Sequence, residues 1–356
     1  MDGKLRSWIL YFCVLIVTLN FIGNVRYLEI HQRKDPHIHP VSMQEPYYSR
    51  IVSTRSRCSR VARHSTLILS HRYKYNDQLK SVYCATPKVA STTWKLLFLQ
   101  LASRVGNMSV EEFREIPYDD IPNTHFAQLD DETMAWARLH DYMTFYITRH
   151  PFERLVSAFN DKLTSKTPIT SYRDRVGVMI AKEQADEYMH GVGTDFARFP
   201  DWVISRLPGL NKLNSTQKQQ VFQYLRVLRT GEVPFVQFVR YIIKEYKEGR
   251  GDELDVHWLP QVRLCHPCSI NYKFIMRFET LFNDSTHLLE HLQTGYDEQS
   301  KIKFPQRAPA RQQQIQDTKF AFGQISQSEI DTLKLIYKDD FALFNYDPDE
   351  YDKNRL

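Results

Sequence analysis

Glycine is scarce in this chain, with 12 among 356 residues, and cysteine is scarcer, with five. Neither G-x-x-x-x-G-K-[ST] nor G-x-G-x-x-G occurs, which weighs against an ATPase, a kinase or a dinucleotide enzyme built on a glycine-rich phosphate loop. No internal repeat is visible. Five cysteines in 356 residues do not make a disulfide scaffold, and glycine lacks a collagen period. A hydrophobic content of 42% with 13% aromatics excludes a fully disordered chain and supplies a sizeable core.

Charge of neither sign dominates. Lysine and arginine number 47 against 42 aspartates and glutamates, a net +5. This mild excess suits an anionic partner without choosing among nucleotide, acidic polysaccharide, nucleic acid and lipid head group. Long apolar runs are absent after the first two dozen residues. Residues 1–6 form a short tail, and Ser7 to Gly23 carries no charge. Seventeen helical residues reach about 25 Å, the short end of a bilayer span. The run is long for a cleaved signal peptide and lacks a small-x-small cleavage site, so an uncleaved signal-anchor is expected. Sequons at Asn107, Asn214 and Asn283 all follow it and place the body in the lumen. Cys58, Cys84, Cys265 and Cys268 then imply two disulfides, with three pairings open. Cys265-x-x-Cys268 also has the spacing of half a zinc site. The disulfide reading is preferred, and no metal is expected.

Residues 24–78 read as a lumenal stem, with alternating charge and basic residues including Arg50, Arg57 and Arg72. Such a stem either touches an acidic polymer or is a solvated linker. Texture changes near residue 79, where a catalytic domain is expected to start and to run to 350. Ser81 to Ala85 is a β-favouring run. Trp94, Leu97, Phe98, Leu101 and Val105 then keep helical spacing from Ser91, with Gly106 and Asn107 as the stop. Met143 to Thr148 predicts a second strand, and Pro151 suits a first helical position. Tyr272 to Arg277 reads as a strand, the stretch from Phe235 to Ile242 as a helix, and Ser326-x-x-Glu329 as a capping box. Lys301 to Asp317 is polar, Gln-rich and without a period, and reads as a mobile loop. Strands feeding helices predict an α/β, three-layer fold with a mainly parallel central sheet.

Two strand ends carry the chemistry. Pro87, Lys88, Val89, Ala90, Ser91, Thr92 and Thr93 lie between the first strand and its helix, where unpaired N–H groups and the helix dipole favour an oxyanion. Ser91 as a simple helix cap and Lys88 as a solvated lysine are the bland alternative. At the second strand end, Arg149 and Ser157 can grip another phosphate. The alternative there is an Arg149–Glu153 pair with Ser157 as a small packing residue.

Taken together, these segments resemble the Golgi carbohydrate sulfotransferases of the chondroitin and HNK-1 type, and within them the chondroitin 4-O-sulfotransferases. The resemblance is carried by Tyr83 to Lys95, by Arg149 to Phe159, and by His257-Trp258 with Leu264-Cys265-His266-Pro267-Cys268 and Phe278-Glu279-Thr280-Leu281. Asp340-Phe341-x-x-Phe344-x-Tyr346 closes it. It implies a P-loop-like fold that binds 3′-phosphoadenosine 5′-phosphosulfate (PAPS) as sulfuryl donor, with Pro87 to Thr93 on the 5′-phosphosulfate and Arg149 with Ser157 on the 3′-phosphate. It also implies a single-pass Golgi membrane protein acting on an acidic glycosaminoglycan, not on nucleic acid. Three positions depart from the pattern: Ser91 where cysteine is common, Thr93 where asparagine is common, and His150 where an acidic residue is usual. The last removes a negative charge beside the 3′-phosphate.

Transfer needs a cation at the leaving oxygen, the role of Lys88, and a base near lumenal pH. His125 falls where the family carries a histidine and is the first choice, with His257, Glu115 and Asp119 in reserve. The rivals are a lumenal kinase, which lacks its phosphate loops here, and a glycan-binding homologue without activity, which intact Lys88, Arg149 and Ser157 oppose.

Overall fold

The structure is a computed structural model that describes residues 44–60, 72–102, 109, 112, 127–129, 132–164, 176–180, 213–230, 232–305 and 311–355. The apolar run at residues 7–23 lies outside these. Among the described residues, no helix is long and apolar enough to cross a membrane.

Five strands form one sheet in the order β3-β1-β2-β4-β5. They are β1 (Tyr73–Asn76), β2 (Ser81–Cys84), β3 (Ala127–Gln128), β4 (Met143–Thr148) and β5 (Phe274–Arg277). The three strands β2, β4 and β5 are mutually parallel, whereas β1 runs antiparallel to both β2 and β3. The sheet is mixed: its central strands are parallel, as expected, and β1 runs against the other four. The antiparallel pairings involve two separate segments, β1 of four residues and β3 of two, too short to carry a readable period.

Every residue of β2 and β4 is buried, as expected of parallel strands covered on both faces. Successive side chains alternate between two cores. Val82, Cys84, Tyr146 and Ile275 join one; Tyr83, Phe145, Ile147, Phe274 and Met276 join the other. Helix α2 (Ser91–Leu101) covers the second core with Trp94, Leu97 and Phe98, and α8 (Leu281–Leu292) adds Leu288, Leu289 and Leu292. The indole N–H of Trp94 donates to Ser285 Oγ at 3.1 Å, tying the two helices together. On the opposite face lie α4 (Pro151–Lys162) and α6 (Phe235–Lys247). Behind them come α9 (Arg311–Gly323), α10 (Gln327–Ile336) and α11 (Lys338–Phe344). Helices α3 (Glu132–Asp141), α5 (Ser215–Thr230) and the short α7 (Gln261–Cys265) complete the set of α-helices among the described residues.

The expected stem is partly a component of the folded body. Residues Tyr47–Arg57 form helix α1, which buries Tyr47, Ile51 and Thr54. Arg50 Nη1 meets Asp284 Oδ2 at 2.5 Å and the Ile275 carbonyl at 3.2 Å. Arg57 donates to the Ala342 carbonyl at 2.8 Å. These arginines, read from sequence as solvated or polymer-facing, instead satisfy strand and helix ends of the distant C-terminal half. The cysteines pair as Cys58–Cys268 and Cys84–Cys265. Cys58–Cys268 fastens the end of α1, and Cys84–Cys265 joins the end of β2 to α7. An H-x-x-x-H spacing at His287 and His291 lies downstream of Cys268, but the disulfides leave no thiolates for a Cys₂His₂ site. His287 instead stacks on Tyr47, with ring centroids 4.6 Å apart.

The predicted Lys301–Asp317 loop is also corrected, since α9 begins at Arg311. Its first turns are held by polar contacts, Arg311 to Glu153 and Gln314 to Arg149. No apolar period exists there to read.

Candidate nucleotide and sulfuryl-transfer site

The turn from β2 into α2 is shaped by backbone that side-chain-bearing residues seldom adopt. Lys88 has φ +71° and Ala90 φ +65°, conformations that cost a β-carbon about 1 kcal/mol or more unless surroundings enforce them. Val89, fully buried in the core beneath α2, supplies one anchor. Two arginines supply the others. Arg154 Nε donates to the Pro87 carbonyl at 3.0 Å, and Arg149 Nη1 donates to the Lys88 carbonyl at 2.9 Å. Helix α2 then starts with Ala90 as its N-cap and no side-chain cap. Ser91 is thus the first helical residue and not a cap, and the leading N–H groups of α2 remain available to an anion.

Helix α4 faces this turn. Arg154, Ser157 and Asp161 fall at i, i+3 and i+7, on one stripe. Arg154 reaches Pro87, and Asp161 Oδ2 lies 3.1 Å from Lys88 Nζ and 3.2 Å from Lys162 Nζ. Half-buried Ser157 lies between them on the face turned to the loop. Burial holds the Lys88 ammonium below its ordinary pKa, with Asp161 opposing that shift. Arg149 is 3% exposed, and burial lowers its pKa to about 10, so it stays cationic. Its guanidinium lies 4.1 Å over the Phe278 ring and 3.8 Å from Glu153. The backbone of Arg149 is locked by Gln261, which accepts from its N–H at 3.0 Å and donates to its carbonyl at 2.8 Å. Nε of Arg149 is buried and has no hydrogen-bond partner among the described residues. Lys88, Arg149 and an unsatisfied buried donor beside an uncapped helix N-terminus are groups of the kind that hold a doubly phosphorylated nucleotide.

Residues 71–347 match the family model described as the sulfotransferase family. The chain belongs to that family. It is 32% identical over 275 residues to carbohydrate sulfotransferase 11 of Mus musculus, covering 76% of this chain and 65% of that protein. It is 25% identical to carbohydrate sulfotransferase 14 of Danio rerio, covering 76% and 61%. Against carbohydrate sulfotransferase 10 of Rattus norvegicus it is 27% identical, covering 77% and 67%. This sulfotransferase-family chain thus spans just under two thirds of the length of the first of these relatives. No solved structure matches it.

His150, read from sequence as a neighbour of the 3′-phosphate group, has a structural role in the core. Its ring is turned into the core. It is 1% exposed and accepts from the Phe152 N–H as the N-cap of α4. Its ring stands edge-on to Phe341, Tyr346 and Tyr351, and burial pushes its pKa down to about 4. The residue is a neutral helix cap. Glu153, the alternative partner of Arg149, also receives Arg311 and the Tyr351 hydroxyl. It therefore holds two arginines at the second strand end.

His125, Glu115, Asp119 and Asn107 lie outside the described residues. His257 lies within them, half-buried, its Nδ1 2.7 Å from Asp255 Oδ1. Asn214 and Asn283 are exposed, the first capping α5 through Gln217. Arg154, Asp161, Gln261 and Gln314 were not singled out from sequence. Arg154 and Asp161 share with Ser157 the polar face of α4, where charged residues are ordinary, opposite the apolar stripe of Phe152, Leu155, Val156 and Phe159.

Proposed function

We propose that this chain transfers a sulfuryl group from PAPS to a glycosaminoglycan hydroxyl, the 4-O position of N-acetylgalactosamine in chondroitin. The observation that carries the reading is the direct bond between the two strand ends. Arg149 donates to the backbone of Lys88, so the two cationic groups sit within the reach of one nucleotide. PAPS supplies an activated sulfuryl group and a phosphate leaving group. The α2 N-terminus with Ser91, Thr92 and Thr93 receives the 5′-phosphosulfate, and Lys88 stands beside the leaving oxygen, where it offsets developing charge. Arg149 and Ser157 receive the 3′-phosphate, with Arg311 and Gln314 closing that side. Fixed donors in a buried pocket need little reorganisation as charge moves, and none of these roles requires a metal.

The acceptor assignment is supported by the likeness to carbohydrate sulfotransferase 11 and by the chain's net positive charge. The same reading places residues 7–23 in a Golgi membrane as a single-pass anchor. The body then lies in the lumen, with glycans on Asn107, Asn214 and Asn283. Incubating the chain with radiolabelled PAPS or ATP and desulfated chondroitin, dermatan or heparan, followed by disaccharide analysis, tests the proposal. Label is expected on 4-O of chondroitin from PAPS alone. Transfer from ATP, or binding of chondroitin with no sulfate incorporated, would refute it.

A further inference from the structure

We infer that His257, oriented by Asp255, is the base that takes the proton from the acceptor hydroxyl. This inference rests on the sulfuryl-transfer reading and adds to it the group that activates the sugar. The geometry begins with one buried guanidinium. Arg154 donates Nε to the Pro87 carbonyl at 3.0 Å, Nη2 to the Val256 carbonyl at 2.8 Å and Nη1 to the Leu259 carbonyl at 2.8 Å. A single planar fork therefore pins the segment bearing His257 against the loop bearing Lys88. The two segments are 169 residues apart in sequence (257 − 88).

The segment itself is rigid. The Asp255 carbonyl accepts from Trp258 N–H at 3.0 Å and Leu259 N–H at 2.8 Å, while Tyr337 donates to the Trp258 carbonyl at 2.6 Å. Trp258 is 1% exposed and anchors the turn in the core. Asp255 Oδ1 accepts from the backbone N–H of His257 at 2.9 Å and meets its Nδ1 at 2.7 Å. With Nδ1–H directed at a carboxylate, the imidazole presents Nε2 as its proton acceptor.

Charge around the ring matches that task. Burial lowers the imidazole pKa, Asp255 opposes this through its hydrogen bond, and Lys162 and Arg154 add to the lowering. Lys162 shares the Asp161 carboxylate with Lys88, so His257 feels the cationic cluster that holds the leaving group. A ring kept below its ordinary pKa is neutral, hence competent, in mildly acidic surroundings. Asp161, held ionised between two ammoniums with its pKa lowered despite burial, is a poor base by comparison.

In the step, the acceptor oxygen bonds to sulfur and the bond from sulfur to the 5′-phosphate oxygen breaks. The hydroxyl proton passes to His257 Nε2 and later to water, and the electron pair leaves on the phosphate beside Lys88. The test uses the full-length chain, with His257→Ala, His257→Gln, Asp255→Asn and His125→Ala compared with the parent. Three quantities are read: kcat against pH, affinity for 3′,5′-adenosine diphosphate by calorimetry, and His257 ring titration by NMR of labelled histidine. His257→Ala and His257→Gln are expected to lower kcat about 10²–10⁴-fold, to bind nucleotide within about twofold of the parent, and to lose the acid limb of the profile. Asp255→Asn should move that limb to lower pH, and the NMR titration should coincide with it in the parent. Either His257 variant keeping parental kcat, or the acid limb vanishing in His125→Ala while surviving in His257→Ala, overturns the inference alone. A parent that incorporates no sulfate overturns the sulfuryl-transfer reading first, so the two failures are separable.

Discussion

The turns that lead from β2 into α2 and from β4 into α4 are built in opposite ways. The second, Arg149-His150 into α4, caps its own helix: His150 is the cap, Pro151 occupies the first position, and every one of these residues is buried. The first, Thr86 to Ala90 into α2, has no side-chain cap and two left-handed residues that are not glycine. Its shape is imposed from outside, by Arg149 and Arg154 of the other turn and its helix. One turn is thus a scaffold and the other a surface held open by it. A loop that used its own polar groups to cap its helix would have none left for a ligand.

The severest way to break that arrangement is to remove the scaffold's reach. Arg154→Ala leaves the carbonyls of Pro87, Val256 and Leu259 without their donor in a buried site, and should destabilise the fold by about 3 kcal/mol or more. Denaturant midpoints measure it, and a change under about 1 kcal/mol would show that the loop holds its own shape. Lys88→Ala attacks the ligand side alone. Turnover is expected to fall about 10²–10³-fold, while the melting temperature and secretion stay at the parental level. Normal turnover would remove Lys88 from the leaving-group role.

A subtler contrast lies in pH. Burial depresses the His150 pKa to about 4, so its neutral form stabilises the fold fully above the unfolded value near 6.5. That contribution is lost as pH falls through about 4. Glu153, Asp347 and nearby Glu350 temper the loss, whereas Arg311 adds to it. His150→Asn keeps a cap without a titrating ring. Its stability should therefore fall less than the parent's between pH 6.5 and 4, by on the order of 1 kcal/mol per pH unit. Parallel melting curves across that range would refute the assignment. The smallest effect is expected at Ala90→Gly. A glycine at φ +65° relieves left-handed strain, and a gain of about 0.5–1 kcal/mol is expected in chemical denaturation. A loss would mean that the Ala90 methyl, packed beside the core under α2, matters more than the backbone.

Legibility differed along the chain for physical reasons. Met143–Thr148, Pro151 as the first residue of α4, Ser91 as the first of α2 and the Ser326/Glu329 capping box all appear where the pattern placed them. Each is a local signal, from periodicity, a fixed φ or a reciprocal cap. Helix α1 was read as stem because its arginines find their partners more than 200 residues away, Arg50 at Asp284 and Arg57 at the Ala342 carbonyl. Strand β1, which pairs with nearby β2, was passed over because it is only four residues long. Helix α9 went unread because Glu153 and Arg149 hold its start, and no apolar stripe does.

The amino-acid sequence alone determined the parallel strand–turn–helix units and the residue types at their ends, since those depend on neighbours a few positions apart. It left open the antiparallel edge of the sheet, the disulfide pairing, the cap role of His150 and the bridge that Arg154 makes between the Pro87 and Val256–Leu259 segments. Those were decided by tertiary structure, because buried arginines and cysteines must be satisfied by whichever distant backbone or side chain the packed sheet brings to them.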